Sequence, residues 1–181
     1  MVSIRPLKLT LSATTATLVF LCATQAFALD GYRQRKGLFY GGAVGFGVGQ
    51  LDAPDAPDQD GEVGLNLRGR VGGGVTDVFT LDGEMGLMEQ FDVERRVVTG
   101  YFGANYFLYD GLYLRAFGGM AHLGGGKSPS KTGLGFGGGA GYEFFANADL
   151  AVGMGADVQL QKFGQEVDFT AFNFNIIFNV Y

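Results

Sequence analysis

The chain has 181 residues and a formal charge of −5, and glycine fills 32 positions while proline fills four. Without a G-X-Y repeat this is no collagen, and a hydrophobic share of 47% is too high for a disordered chain. Net negative charge argues against a nucleic-acid binder, and 17% charged residues is sparse for a water-soluble surface.

Residues 1–28 read as a secretory signal peptide. Arg5 and Lys8 give a positive start, an apolar run follows from Leu9 to Ala23, and Ala26-Phe27-Ala28 is a small-x-small cleavage site. Phe20 and Leu21 ahead of Cys22 are too bulky for a lipoprotein signal. Cleavage after Ala28 removes the sole cysteine together with Arg5 and Lys8, and takes the formal charge from −5 to −7. A thiol-free remainder suits an oxidising compartment. No later stretch offers a continuous apolar run long enough for a membrane helix, so any membrane crossing must use strands.

Eight segments alternate with the period of a strand. In 38–50, Leu38, Tyr40, Val44, Phe46 and Val48 share one face. In 62–75, Val63, Leu65, Leu67, Val71 and Val75 oppose Asn66, Arg68, Arg70 and glycines. In 79–88, Phe79, Leu81, Met85 and Leu87 oppose Thr80, Asp82 and Glu84. In 96–108, Val98, Phe102, Ala104, Tyr106 and Leu108 oppose Thr99, Tyr101 and Asn105. In 112–123, Leu112, Leu114, Ala116 and Met120 oppose Tyr113, Arg115 and Phe117. In 132–144, Leu134, Phe136, Ala140, Tyr142 and Phe144 alternate with Gly133 to Gly141 and Glu143. In 149–162, Leu150, Val152, Met154, Val158 and Leu160 oppose Asp149, Asp157, Gln159 and Gln161. In 169–181, Phe172, Phe174, Ile176, Phe178 and Val180 oppose Asn173, Asn175 and Asn179.

Charge decides how these faces are used. Arg68, Arg70, Asp82, Glu84, Arg115, Glu143, Asp149 and Asp157 all fall on the non-apolar parity; Lys162, at a strand end, is the exception. Connections alternate between long polar loops (51–61, 89–95, 124–131, 163–168) and short turns (76–78, 109–111, 145–148). That is an up-and-down meander with both ends on the short-turn side. Parity requires odd turns, which Thr76-Asp77-Val78 and Tyr109-Asp110-Gly111 supply, with Gly111 suited to the left-handed position. The resulting registers place Arg70 opposite Glu84, with Asp82 nearby, and Asn105 opposite Arg115.

Three features turn the apolar face outward to lipid. The opposite face is mostly Gly and Ala, a poor water-facing sheet surface but one that leaves room inside a narrow barrel. Its charges nearly balance, three Arg against five acids, as burial demands. Aromatics of the apolar set (Tyr40, Phe79, Tyr106, Tyr142, Phe144, Phe178) gather at the short-turn ends, as at a lipid–water boundary. In lipid every strand edge must be paired, which forces closure.

Ala26-Phe27-Ala28, the eight alternating segments and the final strand Phe169–Tyr181 together resemble the small eight-stranded outer-membrane barrels of the OmpA/OmpX-like class. The resemblance implies an all-β, eight-stranded antiparallel up-and-down transmembrane β-barrel over 37–181. A periplasmic N-terminal segment, 29–36, precedes it. It implies a monomer in the outer membrane of a Gram-negative bacterium, among outer-membrane lipids and lipopolysaccharide. It also implies a terminal strand read by the barrel-assembly machinery, here Phe178, Val180 and Tyr181. Tyr181 has the parity of the asparagines, so it must turn at the rim or follow a bulge.

Few residues carry chemistry. Gly124-Gly-Gly-Lys-Ser128 lacks the first glycine of a phosphate-binding loop, since Ala121 stands there. Gly133-Leu-Gly-Phe-Gly-Gly138 matches a dinucleotide fingerprint in letters but opens no helix. No cofactor is expected. Some barrels of the resembled class act on lipid A through a His, a Ser and a carboxylate at the rim. The only counterpart here is His122, with Ser128 or Ser130 and with Asp92 or Glu94; the Ser expected two residues after the His is Gly124. Asp52, Asp55, Asp58, Asp60 and Glu62 make an acidic loop without a calcium-loop pattern, weakly suited to bridging divalent cations to lipid phosphates. An eight-stranded barrel is filled by its own side chains. Arg68, Arg70, Arg115, Asp82, Glu84, Glu143 and Asp157 are therefore expected as lumen ion pairs, Arg70 with Glu84 among them. The favoured role is structural or surface-interactive and not enzymatic. A lipid A-modifying hydrolase or acyltransferase and a narrow conduit are the alternatives.

Overall fold

The computed structural model describes residues 35–53, 61–125, 130–164 and 167–181. Eight strands follow one another: β1 Gly37–Asp52, β2 Glu62–Thr76, β3 Phe79–Gln90, β4 Arg95–Tyr109, β5 Leu112–Gly124, β6 Lys131–Phe145, β7 Leu150–Lys162 and β8 Asp168–Val180. Each pairs antiparallel with the next, and β8 returns to β1, closing the barrel. Among the described residues no helix is long and apolar enough to cross a membrane.

Following laterally paired residues around the wall shows how the barrel closes. The path runs from Leu38 through Gly73, Leu81, Ala104, Ala116, Gly138, Val158 and Phe172, and arrives back on β1 at Val48. The displacement is ten residues, the shear of the barrel. For eight strands this shear requires a tilt of about 40° and a backbone diameter of about 16 Å. That width fits side chains and little else.

The registers expected from parity are present: Arg70 lies opposite Glu84 and Asn105 opposite Arg115. The turns reach the same parity by another route. Tyr109 pairs with Leu112 across a two-residue turn in which Asp110 (φ 40°) and Gly111 (φ 98°) are both left-handed, the backbone that an Asp-Gly hairpin favours. The odd residue is absorbed by a register shift between Phe107 and Tyr109. Thr76 and Phe79 do the same, with a shift between Gly74 and Thr76. A tight turn follows the sheet twist better than a wider loop, and the bulge preserves the facing.

The outer wall is apolar. Leu38, Val71, Met85, Phe102, Leu114, Phe136, Met154 and Phe172 are all exposed. The apolar outward run lasts from Leu112 to Met120 on β5 and from Leu150 to Leu160 on β7. At the tilt above this corresponds to a band about 25 Å tall, matching the lipid-facing band of outer-membrane barrels. Asp149 departs from the expected pattern: it is exposed in the turn before β7 and does not enter the interior. The strand begins one residue later because Asn147 Oδ1 accepts from the Asp149 and Leu150 amides and shapes the turn.

At the loop end the polarity inverts. Leu87, Val98, Met120, Leu134 and Leu160 are the last apolar outward residues of β3 to β7. Two residues further on, the outward positions are Glu89, Arg96, His122, Thr132 and Lys162. At the same height the interior becomes apolar: Leu51, Met88, Val97, Ala121, Leu123, Phe163, Val167, Phe169 and Ala171 form one buried cluster. Lys162 is therefore one member of an outward polar collar, and the strand ends beyond the band are organised like a small water-soluble barrel.

Candidate functional site in the barrel interior

The interior is stacked in three layers. Nearest the short turns lies an aromatic floor. Phe107 packs on Tyr113 with ring centroids 5.4 Å apart, beside Ile177. Tyr181 turns inward against Phe39 at 5.3 Å and Phe145 at 5.5 Å. Tyr181 thus follows its asparagine parity, turning at the rim, and its hydroxyl donates to Glu143 Oε1 at 2.8 Å.

The middle layer is ionic; with Glu143 of the floor it accounts for every interior charge expected from the strands except Asp149. Arg115 grips Asp82 through both terminal nitrogens (2.7 and 3.2 Å) and reaches Glu84 at 3.1 Å. Asn105 donates to the same Asp82 at 2.9 Å. Arg68 pairs with Asp157 at 2.8 and 2.9 Å and with Glu84 at 3.7 Å. Asn173 and Asn175 donate to Asp157 at 3.0 and 3.3 Å, so two asparagines of β8 satisfy the carboxylate brought in by β7. Such bidentate, charge-assisted contacts are the strong kind, and they offset the cost of taking both charges out of water.

Arg70 does not pair with Glu84 as expected. Its Nε donates to Asn179 Oδ1 at 2.9 Å, while Glu84 is taken by Arg68 and Arg115. Opposite positions in a ladder share a height, but long side chains inside a narrow barrel reach across it more easily than along the wall. Sequence reading missed two inward arginines: Arg95, 2% exposed at the loop end and donating to Gln90 at 3.2 Å, and Arg35. Arg35 lies before the first strand, where no alternation marks it, and its Nε meets Glu143 Oε1 at 2.8 Å. With Arg35 included and Asp149 excluded, the floor and middle layers hold Arg35, Arg68, Arg70 and Arg115 against Asp82, Glu84, Glu143 and Asp157. The charges balance four to four.

The glycine face of β6 receives the crossing rings. A side-chain carbon at Gly135 would meet the Tyr101 ring, at Gly137 the Phe117 ring and at Gly141 the Tyr113 ring. The Gly133–Gly138 fingerprint is accordingly plain strand in β6. The third layer is the apolar cluster at the loop end. Gln90 is fully buried there and donates to the carbonyls of Gly49 (2.8 Å) and Glu62 (2.7 Å), tying β3 to the ends of β1 and β2.

His122 sits on the outer collar. Its Nδ1 lies 2.9 Å from Thr132 Oγ1 and its Nε2 lies 3.2 Å from Ser130 Oγ. Ser128 lies outside the described residues, as do Asp55, Asp58 and Asp60 and the segment 1–34. Among the described residues no group of three or more His, Cys, Asp or Glu is placed to hold a metal.

No protein-family model and no curated protein matches the chain. Solved structures do. Neisserial surface protein A is similar with a TM-score of 0.63 at 14% identity, covering 80% of this chain and 99% of its own. Ail, the attachment invasion locus protein of Yersinia pestis, is similar at 0.58 and 14%, with the same coverage. Ail in complex with the heparin analogue sucrose octasulfate scores 0.53 at 17%, again over 80% and 99%. The chain therefore has the fold of the small eight-stranded outer-membrane β-barrels.

Proposed function

We propose that this chain is a plugged β-barrel of a Gram-negative outer membrane that presents its loop end at the cell surface and neither conducts nor catalyses. One observation carries the reading: the outward positions are apolar over a band of about 25 Å, while the interior is occupied from the aromatic floor to the apolar cap. In this reading residues 1–28 are cleaved on export and 29–36 lie in the periplasm. Phe178, Val180 and Tyr181 serve the assembly machinery, and the monomer is bounded by lipopolysaccharide. The loop carrying Asp52, Asp55, Asp58, Asp60 and Glu62 favours cationic or cation-bridged contacts at the surface. Planar-bilayer recording of the folded protein tests it. The expected result is no large stable conductance; steady large currents overturn the plugged barrel.

A second reading, acyl hydrolysis at the rim, draws on the contact between Ser130 and His122. It is weaker because Nδ1 of His122 meets the Thr132 hydroxyl, where the hydrolytic triad uses a carboxylate to hold the ring and its charge.

A further inference from the structure

Glu143 is a meeting point for the first and last strands of the barrel. It is 1% exposed and projects inward from β6. It accepts from Arg35, just ahead of β1, at 2.8 Å. It also accepts from Asn179, near the end of β8, and from Tyr181 beyond it, each at 2.8 Å. β1 and β8 form the seam that closes the barrel, so one carboxylate on a third strand holds both sides of it. Arg35 is seated by more than charge. Its guanidinium lies 4.1 Å from the Phe107 ring centre and 5.3 Å from that of Phe145. On β2, Gly74 leaves the space through which the Arg35 carbonyl passes, since any side chain there would strike it. A cation on an aromatic face beside a desolvated carboxylate is held by both.

Above this seat is a cavity of about 30 Å³, lined among others by Ala43, Arg68, Arg70, Glu84, Arg115 and Asp157, with room for one or two waters. Buried Glu84 Oε1 and Arg115 Nε have no hydrogen-bond partner among the described residues, so the chamber is polar and suited to water. Tyr113 and Ile177 line the chamber and pack with Phe107, the ring on which the Arg35 guanidinium sits. We propose that Arg35 is a stopper: docked on Glu143 and capping Phe107, it seals this chamber against the compartment at the short-turn end. The inference rests on the plugged reading and assigns to one side chain the contact that locks the aromatic floor shut at that end. The same contacts make Arg35 a clasp on the β1–β8 seam, placed where neither strand is supported by a hairpin.

Cysteine labelling tests it. Ala43 lines the chamber, and the native Cys22 is replaced by Ser. The full chain carrying Ala43→Cys is folded in lipid nanodiscs, its folding checked by heat-modifiable gel mobility, and treated with a small cationic methanethiosulfonate. Labelling is expected to be slow, and about tenfold faster on adding Arg35→Ala. Glu143→Gln, which keeps the shape but removes the charge, should accelerate it similarly. Arg35→Ala leaves all eight strands intact, so a folding defect in the Glu143 variant does not block the test. If the Arg35→Ala protein stays as protected as its parent, the stopper is overturned and the plugged barrel stands. If the parent itself labels fast, both fail.

Discussion

Arg70 sits opposite Glu84 in the β2–β3 ladder, yet its guanidinium donates to Asn179 on β8, and Glu84 is held by Arg68 and Arg115. Arg68 and Arg115 thus find their closest carboxylates, Asp157 and Asp82, beyond the adjacent strand, whereas asparagines serve neighbours along the wall, as Asn173 does Asp157. The consequence is unequal dependence on the three arginines. Arg115 carries Asp82 and part of Glu84; Arg70 has an amide as its hydrogen-bond partner.

Replacing Arg115 by Met should therefore cost about 3–5 kcal/mol, because Asp82 is left buried without its cation. Arg70→Met should cost clearly less. Reversible urea unfolding in lipid vesicles measures both. Equal losses would mean that the paired carboxylates are not what makes Arg115 important.

Crowding along the glycine face of β6 should be just as selective. Gly135→Leu drives a side chain into Tyr101 and should cost about 1–3 kcal/mol by overpacking. Gly69→Val, at an outward position with nothing near it, should be close to neutral. Tyr101→Ala combined with Gly135→Leu should recover part of the loss. A Gly135→Leu protein as stable as the parent contradicts the ring-on-glycine packing.

The height of the apolar band can be read from charge insertion. Met154→Arg, midway along the outward run of β7, should lose about 2–4 kcal/mol in a bilayer, while Thr132→Arg on the polar collar should lose about 0–1 kcal/mol. Similar losses at both sites would place the collar inside the hydrocarbon.

His122→Ala and Ser130→Ala should leave the lipid A of an expressing strain unchanged by mass spectrometry. A mass shift that depends on either residue would replace the surface-presentation reading with acyl chemistry at the rim.

Much of this architecture was legible before any coordinates. The segments 112–123 and 132–144 became β5 and β6 with edges moved by one residue, because a strand between lipid and a packed interior records its facing at every second position. The loop-end inversion was also present in the letters: Glu89, Arg96 and His122 share parity with Leu87, Val98 and Met120. Each strand end contributes a single polar residue to it, so no one segment displays the pattern, and Lys162 taken alone reads as an exception. Arg35 left no periodic trace, lying ahead of the first strand. The turn at Asp110-Gly111 was marked by its glycine, but its bulge was not, since a bulge preserves parity.

The chain by itself determined which residues face hydrocarbon and which face inward, since that choice is local and follows from a side-chain period of two. Only the tertiary structure decided who meets whom inside. Arg68 finds Asp157 eighty-nine residues away, and Arg35 finds Glu143 at a separation of 108. Those meetings depend on eight strands closing with a displacement of ten residues, a property of the whole circumference that no single segment contains.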